Sequence, residues 1–261
     1  MRQLEELAAN AWPGLRCALV DGWIARFANA YTRRANSVLP LAAGNCNLAD
    51  RITRCEELYQ MEGQDPIFKI YPEAQPEDLD AELARRGYAR QASSKMMALD
   101  ALDLGRPAAT KGWKVCISPS LTSGWSHFHA VSSGLDPRKA AAAKGILEAI
   151  VPERRFLMIE GSDAPAACAL IVLENGWAGI FDVMVRKEWR GHGLGRAIMR
   201  AALAEAASTG ARHSYLQVLD DNPVAVNLYR SIGYRSLYPY WFRVPGKGHA
   251  GLNRSVQPKA E

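Results

Sequence analysis

No apolar run in this chain of 261 residues approaches the roughly 20 residues that a membrane-spanning helix needs, which speaks against a membrane partner. A Cys-x-x-Cys pair is also missing. The five cysteines (Cys17, Cys46, Cys55, Cys116 and Cys168) are scattered and odd in number. They read as small, reduced core residues of a cytoplasmic protein rather than a disulfide frame or a zinc site. The glycine-rich turn near residue 193 lacks the Gly-x-Gly-x-x-Gly of dinucleotide binders and the Gly-Lys-Ser/Thr of a P-loop. The net charge is +5 and the pI about 9.0. Yet no Lys/Arg-rich run with interleaved aromatics exists, so nucleic acid is not an expected partner. The first residues carry Glu5 and Glu6 among leucines and alanines, which reads as an amphipathic helix and not a signal peptide.

What the chain does have is concentrated between Phe181 and Met199. A short apolar run, Val183-Met184-Val185, reads as a strand. A charged turn follows, then Arg190-Gly191-His192-Gly193-Leu194-Gly195-Arg196, then a segment of helical composition. A strand that feeds a glycine-rich turn opening a helix is built to hold an anion, because the first-turn N–H groups are unpaired and the helix dipole favours negative charge there. Further on, Asn222-Pro223-Val224-Ala225-Val226-Asn227-Leu228-Tyr229-Arg230-Ser231-Ile232-Gly233-Tyr234 reads as a helix ending at Gly-Tyr, with a strand at His213–Val218 ahead of it.

These two stretches carry a resemblance. Arg190, Gly193 and Gly195 form Arg-x-x-Gly-x-Gly, which resembles the pyrophosphate motif of the GNAT superfamily of acyl-CoA N-acyltransferases. The segment from Asn222 to Tyr234 looks like that superfamily's Asn-x-x-Ala-x-x-Leu-Tyr-x-x-x-Gly-Phe/Tyr helix. The likeness covers about Trp113 to Arg243. It implies an α/β fold with a mixed, mostly antiparallel sheet flanked by helices, and acetyl-CoA as cosubstrate. The pyrophosphate would lie on the Arg190–Arg196 turn and the pantetheine arm along the strand at Val183, Met184 and Val185. Tyr229 matches the phenol that protonates the leaving thiolate, and Asn222 a residue that often touches CoA. Bland readings stand beside these: Arg190 and Arg196 as solvated charges, His192 as a tolerated loop residue, Tyr229 as packing against Leu228, Asn222 as a simple helix cap. Asp182 is the first candidate for a general base, with a structural hydrogen-bonding role as its alternative; Glu160 is a distant second. His127 and His129 are two apart on an expected helix, hence on different faces, which argues against metal ligation.

The chain in order suggests two tandem GNAT-like lobes. Leu83-Ala84-Arg85-Arg86-Gly87-Tyr88 echoes Leu228 to Tyr234, so residues 1–104 read as a degenerate copy without a phosphate turn. Within them, two strands are expected at Leu19–Phe27 and Tyr31–Leu39, joined by a tight turn at Asn29. Residues 105–112 read as a linker, 113–245 as the catalytic domain and 246–261 as a mobile tail. The Tyr238–Trp241 aromatics offer an acceptor wall or core. The resulting expectation is an N-acetyltransferase with a small-molecule amine acceptor, with a protein amine or a non-catalytic acyl-CoA sensor as alternatives and a homodimer left open.

Overall fold

The computed structural model describes residues 1–102, 112–161 and 164–246. The expected linker, apart from Gly112, and the tail beyond 246 lie outside the described residues. The first half runs α1 (Arg2–Ala11), β1 (Arg16–Val20), β2 (Trp23–Phe27), β3 (Val38–Pro40), α2 (Leu48–Met61), β4 (Phe68–Ile70), α3 (Leu79–Arg85) and β5 (Tyr88–Leu99). The second runs β6 (Lys114–Ser118), α4 (Ser123–Ser132), α5 (Pro137–Glu148), β7 (Glu153–Glu160), β8 (Pro165–Glu174), β9 (Trp177–Val185), α6 (Leu194–Ser208), β10 (His213–Leu219), α7 (Pro223–Ile232) and β11 (Arg235–Pro245). Among the described residues no helix is long and apolar enough to cross a membrane.

Among the described residues all eleven strands form one mixed, mostly antiparallel sheet, in the order β1-β2-β3-β4-β11-β5-β10-β9-β8-β7-β6. That order contains an exchange. In each half a parallel pair (β3 with β4, β9 with β10) is followed by a helix and one long strand. The long strand then pairs with the other half: β5 lies antiparallel to β10, and β11 lies antiparallel to β4. The two exchanged strands also pair with each other, from Tyr88 opposite Pro245 to Ala98 opposite Arg235. Each follows a helix stopped at glycine, Gly87 at φ +85° and Gly233 at φ +113°, a backbone region that only glycine enters without strain. The tyrosines behind those glycines, Tyr88 and Tyr234, are both buried.

The adjacent residues Met96 and Met97 of β5 serve two different cores. Met96 belongs to a cluster that joins both halves, running from Leu4 and Trp12 through Phe181 and Tyr215 to Tyr238. Met97 packs with the apolar face of α6, including Ile198, Ala202 and Leu203. The first half keeps a core of its own around Trp23, Ile52, Tyr59 and Phe68. Between the halves, Glu5 of α1 forms a buried ion pair with Lys69 of β4 and accepts a hydrogen bond from the Tyr238 hydroxyl at 3.0 Å. Burial pushes the Lys69 ammonium down, and Glu5 beside it draws it partly back.

The hairpin at the start differs from expectation. Its turn is Asp21-Gly22, at φ +43° and +86°, the positive-φ pair that suits a two-residue hairpin. The Tyr31–Leu39 strand shrinks to Val38–Pro40, and residues 28–37 form a loop with Asn29, Ala30 and Thr32 all at positive φ. The aromatic cluster near the end also divides. Tyr238 turns to Glu5, while Trp241 faces the other way and donates to Asp80 at 2.9 Å.

Removing one partner of a buried ion pair strands the other, at a cost of about 3–5 kcal/mol. Lys69→Met is therefore expected to lower unfolding free energy by about that amount in urea titrations; a loss below about 1 kcal/mol would mean the pair contributes no more than a surface bridge.

Candidate active site

The site begins with one extra residue. Opposite Ala169 of β8, strand β9 carries both Asp182 and Val183, because Cys168 faces Met184 while Leu170 faces Phe181. This is a β-bulge, which bends a strand and interrupts its ladder. Asp182 sits in it at φ +48°, strained for a residue with a side chain. The parallel pairing of β9 with β10 covers only Trp177–Gly179 opposite His213–Tyr215. Beyond that the two strands part, and among the described residues the edge of β9 toward β10 has no strand neighbour.

A cavity of about 410 Å³ fills the gap. Val183 and Met184 line one wall, and Tyr229 of α7 with Asn222 at that helix's start lines another. The exchanged strand β11 contributes Tyr240 and Phe242, and the 28–37 loop of the first half contributes Arg33 and Arg34. Both halves therefore build it.

Asp182 organises the cavity's charge. Its carboxylate is nearly sealed from solvent, with Oδ1 3.2 Å from the Arg34 guanidinium and Oδ2 3.1 Å from Nε2 of His129. Burial pushes this carboxyl up, but the contact with His129 and the charge of Arg34 outweigh it and hold it below the usual carboxylate range. Arg34 is also held by its flat face, 4.5 Å from the Trp12 ring and 5.9 Å from Phe181. His129 is stacked on Trp125 at 5.3 Å. Oδ1 accepts the Arg34 hydrogen bond, while Oδ2, beside His129, completes no hydrogen bond among the described residues; the geometry suits the carboxylate to fixing Arg34. Tyr229 is nearly buried, and burial together with the Asp182 charge pushes its phenol up to about 12, so it stays protonated at any working pH.

The anion-binding turn has the form its sequence suggests. Gly193 caps α6 in the left-handed conformation at φ +79°, and no side chain caps the helix. Gly191 at φ +81° is likewise exposed, and a Cβ at either would meet nothing within 4 Å; backbone conformation is what calls for glycine here. At Gly195 the reason is proximity, since a Cβ would come within 3.3 Å of Leu228 on α7. Arg190 turns back to the Val185 carbonyl at 3.2 Å and His192 to the Arg190 carbonyl. Arg196 donates to Ser231 Oγ at 2.8 Å, tying α6 to α7. Asn222 caps α7, accepting from the Ala225 N–H at 3.1 Å. Glu160 lies at the end of β7, where it accepts from the Cys116 thiol at 3.3 Å, and it is not among the cavity's lining residues. Among the described residues no group of His, Cys, Asp and Glu could hold a metal.

The first half has a turn at the corresponding point, between β3 and α2, and that turn is already filled. Asp21 Oδ2 accepts the N–H groups of Asn45 and Cys46 at 2.8 and 2.7 Å. Asn47 caps α2 through the Ala49 N–H, and Arg51 donates to the carbonyls of Asp21, Ala42 and Ala43. A side-chain carboxylate occupies the donors that a phosphate would need.

Sequence reasoning missed Arg34 and His129. Neither lies in a motif, and the loop and helix that carry them reach Asp182 only through the fold. A cheap signal existed in Asp21-Gly22, which would have released the 28–37 segment from strand to loop.

Comparison with known proteins identifies a family and a shared fold. A family model described as "Probable histone acetyltransferase Rv0428c C-terminal" matches residues 1–240. The uncharacterized N-acetyltransferase YobR of Bacillus subtilis (strain 168) is 27% identical over 245 residues, 94% of this chain and 98% of that protein. Two solved structures share the fold. A GCN5-related N-acetyltransferase from Kribbella flavida has a TM-score of 0.68 at 18% identity, covering 95% of both chains. A tandem GNAT protein from the clavulanic acid biosynthesis pathway has a TM-score of 0.60 at 17% identity, over 76% of this chain and 70% of that one.

Because Asp182 is held below its unfolded value of about 3.9, it stabilises the fold above that pH, and the contribution is lost as pH falls through the folded value. Asp182→Asn should be clearly less stable than the parent at pH 7, with the gap closing below about pH 4; a gap independent of pH would show that the charge is not what matters.

Proposed function

The chain belongs to the GNAT superfamily of acetyltransferases, in the family described as probable histone acetyltransferase Rv0428c C-terminal, and we propose that it moves the acetyl group of acetyl-CoA to the primary amine of a small molecule. The observation that carries this reading is the continuity of a helix start without a side-chain cap, an unpaired strand edge and a cavity holding a buried phenol. The first-turn N–H groups of α6 with Gly191 and Gly193 would receive the pyrophosphate. The edge of β9 at Val183, Met184 and Val185, where the Val185 carbonyl accepts from Arg190, would receive the amide-bearing pantetheine arm, leading its end to Tyr229. Acetyl-CoA supplies an activated acyl group as a thioester.

What remains for the protein is orientation and charge. The neutral amine attacks the thioester carbonyl; a C–N bond forms, the C–S bond breaks, and the amine proton leaves to solvent. Tyr229 donates a hydrogen bond to the developing thiolate. A phenol pushed up by burial and by the Asp182 charge is a weaker acid than the leaving thiol. In this reading Tyr229 therefore stabilises charge, and solvent completes the protonation. Asp182 serves by fixing Arg34, not by taking the amine proton. The first half takes no second acetyl-CoA, because Asp21 fills its turn.

Three measurements test the proposal. Tyr229→Phe should lower kcat about a hundredfold with little change in KM for acetyl-CoA; an unchanged kcat removes Tyr229 from the reaction. Gly193→Asp should abolish acetyl-CoA binding through backbone strain and like charge, so retained affinity in a folded variant would sink the pyrophosphate assignment. Calorimetry with acetyl-CoA should give one site per chain, and two sites would overturn the reading of the first half.

A further inference from the structure

The charge of the cavity wall limits what the acceptor can be. Three charged side chains line it: Arg33, Arg34 and Asp182. Asp182 and Arg34 neutralise each other at 3.2 Å, with His129 on the far side of the carboxylate. Beyond the lining residues, Asp220 at the end of β10 is paired with Lys95 at 3.1 Å, and Asp221 is exposed. Among the described lining residues the one carboxylate, Asp182, is thus already paired. Arg33 is different. It is exposed, and its one hydrogen bond among the described residues runs from one terminal nitrogen to Gln91 Oε1 at 2.7 Å. A guanidinium carries five N–H donors in a planar fork, and most of this fork is free to face an oxyanion.

We propose that the acceptor is an amine that also carries an oxyanion, such as an amino acid, and that Arg33 of the first half receives that group. The inference rests on the acetyl-transfer reading above. The apolar part of the acceptor lies against Met184, Tyr240 and Phe242, which share the same cavity. The exposed Arg33 charge also repels a lysine-rich peptide. This gives the first half a part in catalysis although its own phosphate turn is filled.

The test is a steady-state comparison of paired acceptors at saturating acetyl-CoA, using the full chain. Phenylalanine is set against phenylalaninamide and phenethylamine, and O-phosphoethanolamine against ethanolamine, so that the two arms separate carboxylate from phosphate. The anionic member of at least one pair should have a kcat/KM about ten- to a hundredfold higher, the range of one charge-assisted hydrogen bond. Arg33→Ala should reduce that preference to within about twofold and leave KM for acetyl-CoA unchanged, while Arg33→Lys keeps part of it. Amines turned over without charge preference overturn this inference and leave the small-amine reading standing. A raised KM for acetyl-CoA in Arg33→Ala also overturns it, since the guanidinium then belongs to a CoA phosphate. Acetylation of lysine peptides with no turnover of the small amines overturns both.

Discussion

The pairing of β5 with β11 is the constraint on which the rest of the molecule depends. Each half stops one strand short of a closed arrangement beside its parallel pair, and each is completed by the last strand of the other. Neither half can bury its central strand edge alone, and an unpaired edge exposes a row of backbone donors and acceptors. The exchange thus welds two copies of one plan into a single eleven-stranded sheet. It also brings Tyr240 and Phe242 from the end of the chain, and Arg33 and Arg34 from near its start, to the same opening beside β9.

Within that frame the site is a controlled interruption. A bulge at Asp182 parts β9 from β10, and the strained carboxylate at the bulge is held from two directions by Arg34 and His129. The cost of burying a charge is offset by those partners, and the same contacts fix the guanidinium against Trp12 and Phe181. The proposed acyl transfer from a thioester asks for little acid–base chemistry, so rigidity of this kind is what the protein would most usefully supply to it.

Legibility in the sequence followed the range of the interaction. The helix Leu194–Ser208 and the strand–helix unit around Asn222 were readable to within a residue or two, because caps, glycines and apolar spacing are local signals. The tandem echo at Gly87-Tyr88 and Gly233-Tyr234 was readable for the same reason. The exchange was not, since strand pairing between halves leaves no trace in periodicity. Arg34 lies 148 residues from Asp182, and His129 looked like one of two unrelated histidines. Only the fold makes these residues neighbours. The aromatic run at Tyr238–Trp241 showed the limit from the other side: period-2 alternation sends Tyr238 and Tyr240 to one face and Trp241 to the other, and composition alone could not say which face held the cavity.

The filled turn of the first half can be restated as a competition. Asp21 is tethered to the donors it occupies, so it competes as an intramolecular ligand whose effective concentration no free phosphate in solution matches. A site of this kind is occluded from within while its backbone geometry survives. With its turn filled by its own carboxylate, the first half meets the cavity through another segment, the loop of residues 28–37 that carries Arg33 and Arg34.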